Sequence, residues 1–347
     1  MLNSLNLKEF DNDQRREFIN TQQRYQVWRN AVERLDAVRG SMVWQTTGSN
    51  QYLARSSYDK SGVRRQKSLG PRSPETEQMK LTFEQARDEA RERFKTVDAA
   101  LTRQAAINRS LGLGRVPLVT AKIIRALDRG GSLGNGLRIV GTNAIFAYEA
   151  MAGVMVDQGL ATTGDIDLLF DSRSQLRFVV SDDIPERSLL TLLRSVDKSF
   201  MRSRQRYRAE NADGYLVDLI KPMRNPPWKK DRDKVSEEQA DDLTASEIEG
   251  LVWLENAPAF EAIAIDERGF PLRMVTADPR VWAIHKNWVS QRLDRDPVKK
   301  RRDSAQARAV GAMVTAYFPH LPVEMDELRM LPRDVVADAA PIFAATS

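Results

Sequence analysis

Cysteine is absent from the chain. Its absence removes disulfide staples, thiolate nucleophiles and cysteine-ligated zinc at once. Histidine is nearly absent too, with 2 residues, so a histidine-rich metal site is excluded. No apolar run approaches the roughly 20 residues a membrane-spanning helix needs. Polar residues are interspersed throughout the first ten, unlike the apolar run of a secretory signal. Neither sign of charge dominates: 53 Lys and Arg stand against 48 Asp and Glu, for a net charge of +5 and a pI near 9.4. Such a balance permits a polyanionic partner without demanding one. The chain therefore reads as a soluble cytoplasmic protein with no membrane partner. Its 347 residues are enough for two or three modules around a sizeable core. The sequence sets no oligomeric state.

The informative stretch is 137–171, LRIVGTNAIFAYEAMAGVMVDQGLATTGDIDLLFD. Residues 137–140 form a short apolar run that predicts a buried strand. Gly141, Thr142 and Asn143 then form a turn, and 144–154 is apolar nearly all round, as a buried helix is. Residues 165–170, DIDLLF, alternate before turning wholly apolar, which predicts a central strand. Every second side chain of a strand lies on one face, so Asp165 and Asp167 share a face while Ile166 and Leu168 point into the core. Two carboxylates about 7 Å apart in a half-buried site repel each other, and a cation is the simplest reason to place them there. A third acid, Asp218, interrupts the strand-like run 215–220, YLVDLI, where an unpaired carboxylate is costly. Three acids on two strands beside a Gly-Thr turn suit two divalent cations and a triphosphate. Carboxylates without His or Cys favour Mg²⁺ or Mn²⁺. Helix-start N–H groups and the Thr142 hydroxyl suit phosphate oxygens.

The ordered trio of Gly141-Thr142, Asp165-Ile166-Asp167 and Asp218 resembles the pattern of the DNA polymerase beta-like nucleotidyltransferases. The runs YLAR, KSLGPRSPET, GTNAIFAYE and HKNWVSQR are similar to bacterial nucleotidyltransferase-domain proteins, relatives of toxin-type nucleotidyltransferases. The turn departs from the family pattern in being Gly-Thr-Asn, but Thr keeps the hydroxyl. The resemblance implies an α+β fold with a mixed sheet. It also implies transfer of a nucleoside monophosphate from a nucleoside triphosphate to an acceptor hydroxyl. Asp165, Asp167 and Asp218 would hold the metal ions, Asp218 would serve as base, and Gly141, Thr142 and Asn143 would position the nucleotide. Related enzymes close a C-terminal helical module over the triphosphate. By that likeness, Lys286, inside an otherwise apolar helix segment, is the leading phosphate-binding lysine, followed by Lys300 and Arg302. His285, adjacent in sequence, lies on another face of that helix and reads as structural.

The remaining chain divides into five parts. Residues 1–40 predict a helical arm, one helix or a pair ending at Gly40. Residues 41–70 predict a three-stranded antiparallel meander with turns at 47–50 and 59–62. It carries Arg55, Arg64, Arg65 and Lys67 among Trp44, Tyr52 and Tyr58, a mixture that suits phosphate contacts and base stacking. An alternative has the aromatics packing the sheet and the cations solvated. Residues 71–130 form a helical connector, 131–222 the nucleotidyltransferase core, and 223–347 a C-terminal module. Within the last two, the sequence predicts a strand at 177–181, a helix at 185–196 and a basic strand at 200–208, FMRSRQRYR, paired with the Asp218 strand. That strand offers Arg202, Arg204, Arg206 and Arg208 to phosphate. Further on, 222–242 reads as a loop, 245–256 as a helix, 260–276 as a hairpin, and 280–292 and 297–318 as helices. The basic regions point to RNA, tRNA among its forms, as the acceptor. The alternatives are nucleotidylation of a protein and a non-catalytic nucleotide-binding regulator.

Overall fold

The computed structural model describes residues 7–58, 64–173, 188–224, 226, 233 and 241–344. Strand β1 (Leu7–Glu9) is followed by helix α1 (Asn12–Ala37), a single helix of 26 residues where a helix pair was an open alternative. Asp11 accepts from the backbone N–H of Gln14, whose side chain returns to the Asp11 backbone, so the helix start is closed on both sides. Strands β2 (Ser41–Thr47), β3 (Asn50–Tyr58) and β4 (Arg64–Pro71) form the expected meander. Helix α2 (Pro74–Ser110) opens on a Ser73 cap with proline at its first position.

Helices α1 and α2 run antiparallel as a stalk with the meander at its far end. Thr21 bonds Asn108, Arg24 bonds Gln104 and Trp28 bonds Asp98, so one number rises as the other falls. Tyr25, Trp28 and Phe94 fill the seam between them. At the foot of the stalk Asn108 donates to the carbonyl of Gly269 at 2.8 Å. Gly269 has φ +86°, and a Cβ there would come within 2.0 Å of the Ala105 carbonyl. Only glycine lets that turn seat against α2.

The core continues with α3 (Leu118–Arg129), β5 (Leu137–Val140), a 3₁₀ turn (Gly141–Ala144), α4 (Ile145–Ala152), β6 (Val154–Val156), α5 (Gln158–Ala161) and β7 (Asp165–Phe170). Then come α6 (Leu189–Val196), β8 (Met201–Arg202), β9 (Arg208–Glu210), β10 (Leu216–Pro222), β11 (Ser246–Ile248), α7 (Leu251–Asn256), β12 (Ala259–Ile265) and β13 (Pro271–Ala277). Helices α8 (Pro279–Gln291), α9 (Pro297–Tyr317) and α10 (Arg333–Ala339) complete the described chain. Among the described residues, none of these helices is long and apolar enough to cross a membrane.

One mixed sheet carries eight strands in the order β12-β13-β5-β7-β10-β9-β8, with β11 beside β10. Strand β7 runs parallel to β10 and antiparallel to β5. Helices packed on a mixed sheet make the protein α+β. Ile166, Leu168, Val217 and Leu219 are fully buried on one face of the two central strands. On that side Thr120 of α3 meets the Tyr215 hydroxyl at 2.7 Å. Alternation then sends Asp165, Asp167 and Asp218 to the opposite face.

Several boundaries differ from the sequence expectation. The helix expected at 144–154 stops at Ala152, because Gly153 adopts a left-handed cap and 154–156 pairs with β1. The helix expected at 245–256 begins only at Leu251, after Gly250 with φ +83°; the preceding residues pair with β10 instead. The basic strand expected over 200–208 is broken by a turn, and its pairing to β10 begins at Arg208. The strand at 177–181, the start of the helix at 185 and most of the 222–242 loop lie outside the described residues. The sheet also takes in the hairpin β12–β13 through β5, so it extends past the division drawn at 222.

Candidate active site

Two strand registers place the acids and the turn together. Asp167 stands opposite Asp218 across the parallel β7–β10 pair and opposite Val140 across β5–β7. Gly141 follows Val140 directly, so the 3₁₀ turn lies over Asp167. Gly141 has φ +64°, and a Cβ there would lie 2.0 Å from an Asp167 carboxylate oxygen. The glycine is therefore required by both the backbone and the carboxylate beneath it. Trp282 of α8 donates its indole N–H to the Gly141 carbonyl at 3.1 Å. Asn143 donates to the backbone carbonyl of Asp165 at 2.7 Å, and the Thr163 hydroxyl donates to the Asp165 carboxylate.

Asp167 is the electrostatic centre. Burial, then the charges of Asp165 and Asp218, push its carboxyl up to about 7, against partial relief from Lys286 and Arg295. Asp218 is treated differently: Arg208 on β9 donates through Nε at 2.7 Å and Nη2 at 2.6 Å to its two oxygens. That bidentate pair is fixed by register, since Arg208 is the cross-strand partner of Asp218.

A second cluster faces the acids from α8 and α9. Both helices begin with Asp-Pro: Asp278 accepts from the Arg280 N–H, and Asp296 from the N–H groups of Val298 and Lys299. Buried Asp303 accepts from Lys286 Nζ at 2.7 Å and from Arg295 at 2.7 Å. Burial lowers the affinity of Lys286 for its proton, and the Asp303 charge opposes that shift. The Lys286 ammonium also lies 5.5 Å from the Trp282 ring centre. His285 is buried and pushed down to about 3 by burial and the Lys286 charge, so it stays neutral.

The nucleotide turn is held from α9. Gln306 donates to the Thr142 hydroxyl at 3.2 Å and to the Leu160 carbonyl at 2.6 Å. Thr142 and Asn143 are buried, and among the described residues Asn143 Oδ1, Gln306 Oε1 and Arg302 Nε have no hydrogen-bond partner. Arg302 lies one turn before Gln306, on the same helix face. Lys300 is half-exposed in the first turn of α9.

The structure thus gathers Asp165, Asp167, Asp218 and the Gly141–Asn143 turn, and couples them electrostatically to Lys286. Sequence reasoning missed Arg295, Asp303 and Gln306. Arg295 and Asp303 lie in the charged run RLDRDPVKKRRD, where nothing but a helix-start pattern marks one residue from another. The meander is separate from this site. Its Arg55 stacks on Phe83 at 5.3 Å and Arg72 on Trp44 at 5.2 Å, while Arg65 and Lys67 are exposed on β4. The side chain of Arg64 lies outside the described residues.

A divalent ion fits part of this arrangement. Asp165 and Asp167 share a face, and burial together with the neighbouring acids raises the Asp167 carboxyl, a charge imbalance that a bound cation would relieve. Asp218 fits less well, because Arg208 is bonded to both of its oxygens and sets a fixed positive charge against any ion there. Among the described residues, no three acidic or histidine side chains come together as a metal-binding group. The three carboxylates expected from the sequence do lie on one face of β7 and β10, with Asp218 bonded to Arg208.

Residues 119–331 match a family model described as nucleotidyltransferase. No curated protein matches the chain, and no solved structure does.

Proposed function

The chain belongs to a nucleotidyltransferase family, and from that premise we propose transfer of a nucleoside monophosphate from a triphosphate to an acceptor hydroxyl, on a polymerase beta-like core. The observation that carries this reading is the acid pair Asp165–Asp167 facing a cluster with surplus positive charge, close enough that Lys286 and Arg295 shift Asp167. The acceptor oxygen attacks the α-phosphorus and forms a new P–O bond. The bond to the bridging oxygen breaks, and pyrophosphate leaves with that electron pair. Lys286, Arg295 and Arg302 neutralise the charge growing on pyrophosphate. Thr142 and Asn143, held by Gln306 and by the Asp165 backbone, fix the turn against the triphosphate. The acceptor proton leaves to solvent at the carboxylate face. Asp218 is not assigned as base, since both its oxygens accept from Arg208. Asp165 and Asp167 would hold a divalent ion, Mg²⁺ or Mn²⁺, which when bound supplies Lewis-acid polarisation of the phosphate.

RNA is the acceptor this reading assigns, supported by the exposed Arg65 and Lys67 on the stalk-borne sheet. The test is incubation with α-labelled nucleoside triphosphates and total cell extract, followed by separation of RNA from protein. Label is expected in RNA, and Asp167→Asn should lower incorporation by about 1,000-fold or more while the protein stays folded. Label confined to protein overturns the RNA assignment; unimpaired labelling by Asp167→Asn sinks the mechanism.

A further inference from the structure

We propose that Arg208 is a built-in counter-cation for the acid cluster, and that the chain consequently takes one divalent ion, on Asp165 and Asp167, with Asp218 kept as a positioning residue. The inference rests on the nucleotidyl-transfer reading and concerns how that site is charged.

The geometry is specific. Arg208 and Asp218 are directly opposed in the antiparallel β9–β10 register, the shortest approach two strand side chains have. The guanidinium meets the carboxylate with two parallel hydrogen bonds of 2.7 and 2.6 Å, so each oxygen is engaged. The Asp218 side chain is 10% exposed and the Arg208 side chain 26%, which limits replacement of that pair by water.

The backbone around Arg208 is also fixed. Its N–H donates to the Gln205 carbonyl at 3.0 Å, and its carbonyl accepts from Ser203 at 2.9 Å. Tyr207, just before it, accepts from the Leu219 N–H of β10 at 2.8 Å. The guanidinium carbon lies 5.5 Å from the Tyr207 ring centre. A side chain so anchored is part of the site rather than a passing surface arginine.

Charge balance gives the same answer. Arg208 is an obligate cation, because an arginine is not deprotonated in proteins. It senses Asp165 as well as Asp218, so its charge reaches the acid pair. A divalent ion placed on Asp218 would share a carboxylate already bonded at both oxygens by a guanidinium, and would sit beside that fixed positive charge. Among the described residues no cation hydrogen-bonds to the carboxylates of Asp165 and Asp167; the Asp165 carboxylate accepts from the neutral hydroxyl of Thr163.

The test is Mn²⁺ stoichiometry at pH 8, read from the loss of the free-ion EPR signal. The full chain is titrated alone and again with saturating α,β-methylene ATP, with the nucleotide-only blank subtracted. One Mn²⁺ per chain is expected for the wild type, one for Asp218→Asn, and one for Arg208→Lys. Arg208→Gln, which keeps hydrogen bonding but removes the charge, should rise to two. Two ions in the wild type, or loss of an ion in Asp218→Asn, overturns the inference and leaves nucleotidyl transfer standing. A folded Arg208→Gln that still takes one ion overturns it equally. If Arg208→Gln fails to fold, the wild type and Asp218→Asn decide between the outcomes by themselves. No bound Mn²⁺ in the wild type under either condition overturns the inference together with the metal-dependent reading beneath it.

Discussion

Two ionic clusters face each other across the candidate site, and they are built in opposite ways. On α8 and α9 one buried carboxylate, Asp303, serves two cations, Lys286 and Arg295. On the sheet three carboxylates share one cation, Arg208. Burial alone would raise the Asp303 carboxyl, yet Lys286 and Arg295 hold it below the usual range. Burial and two neighbouring acids hold Asp167 far above it. The helical cluster is complete by itself with positive charge to spare, whereas the sheet cluster is under-neutralised. A ligand that is anionic at one end and carries a cation at the other fills both needs.

The largest expected effect comes from breaking the complete cluster. Asp303→Ala strands a buried lysine, and loss of one partner of a buried pair costs about 3–5 kcal/mol. Urea denaturation checks it; a change under about 1 kcal/mol would mean the pair is solvated in solution.

The under-neutralised cluster should respond in the other direction. The Asp167 pKa is raised on folding, so its favourable contribution is complete below pH 4 and is lost as pH rises towards 7. Removing that charge with Asp167→Asn should therefore stabilise the metal-free protein at pH 8, on the order of 1 kcal/mol, and change little near pH 4. Asp303 has the reverse slope: its lowered pKa gives stability above pH 4 that is lost in acid. Thermal melts of Asp167→Asn against wild type across pH 4–8 separate the two. A loss of stability at pH 8 would show that Asp167 is already neutralised.

The smallest effect belongs to the meander, outside both clusters. Arg65→Ala with Lys67→Ala should shift stability by no more than about 0.5 kcal/mol. The same variant should weaken RNA binding and flatten its dependence on salt, measured at two ionic strengths. Binding indistinguishable from wild type would detach the basic sheet from the acceptor.

What the sequence disclosed of these clusters follows from how each is encoded. Asp165 and Asp167 were legible because strand alternation is local: two residues apart means one face. The long helices open on equally local signals, the cap pairs Ser73-Pro74, Asp278-Pro279 and Asp296-Pro297. The Arg208–Asp218 pair was not, because it depends on which residue of a basic run falls opposite Asp218, and register is a tertiary property. The run FMRSRQRYR offers four arginines at equal spacing; the turn at 203–207 selects one. Asp303 was hidden for a related reason, since its partner on α8 is 17 residues away in the chain. The false helix start at 245 came from reading local composition where sheet pairing prevails.

The short strand β1 has a consequence for how the protein is made. Leu7–Glu9 pairs with Val154–Val156, and the Tyr317 hydroxyl donates to Glu9 at 2.8 Å. This strand is thus completed by residues synthesised far later, Tyr317 among them. The stalk and its meander involve contacts much closer in sequence, so they form early, while β1 stays an unpaired edge until the core exists. Closing that strand joins segments far apart in sequence, so it is a late event in folding, and a released β1 reports a core that has not yet been finished.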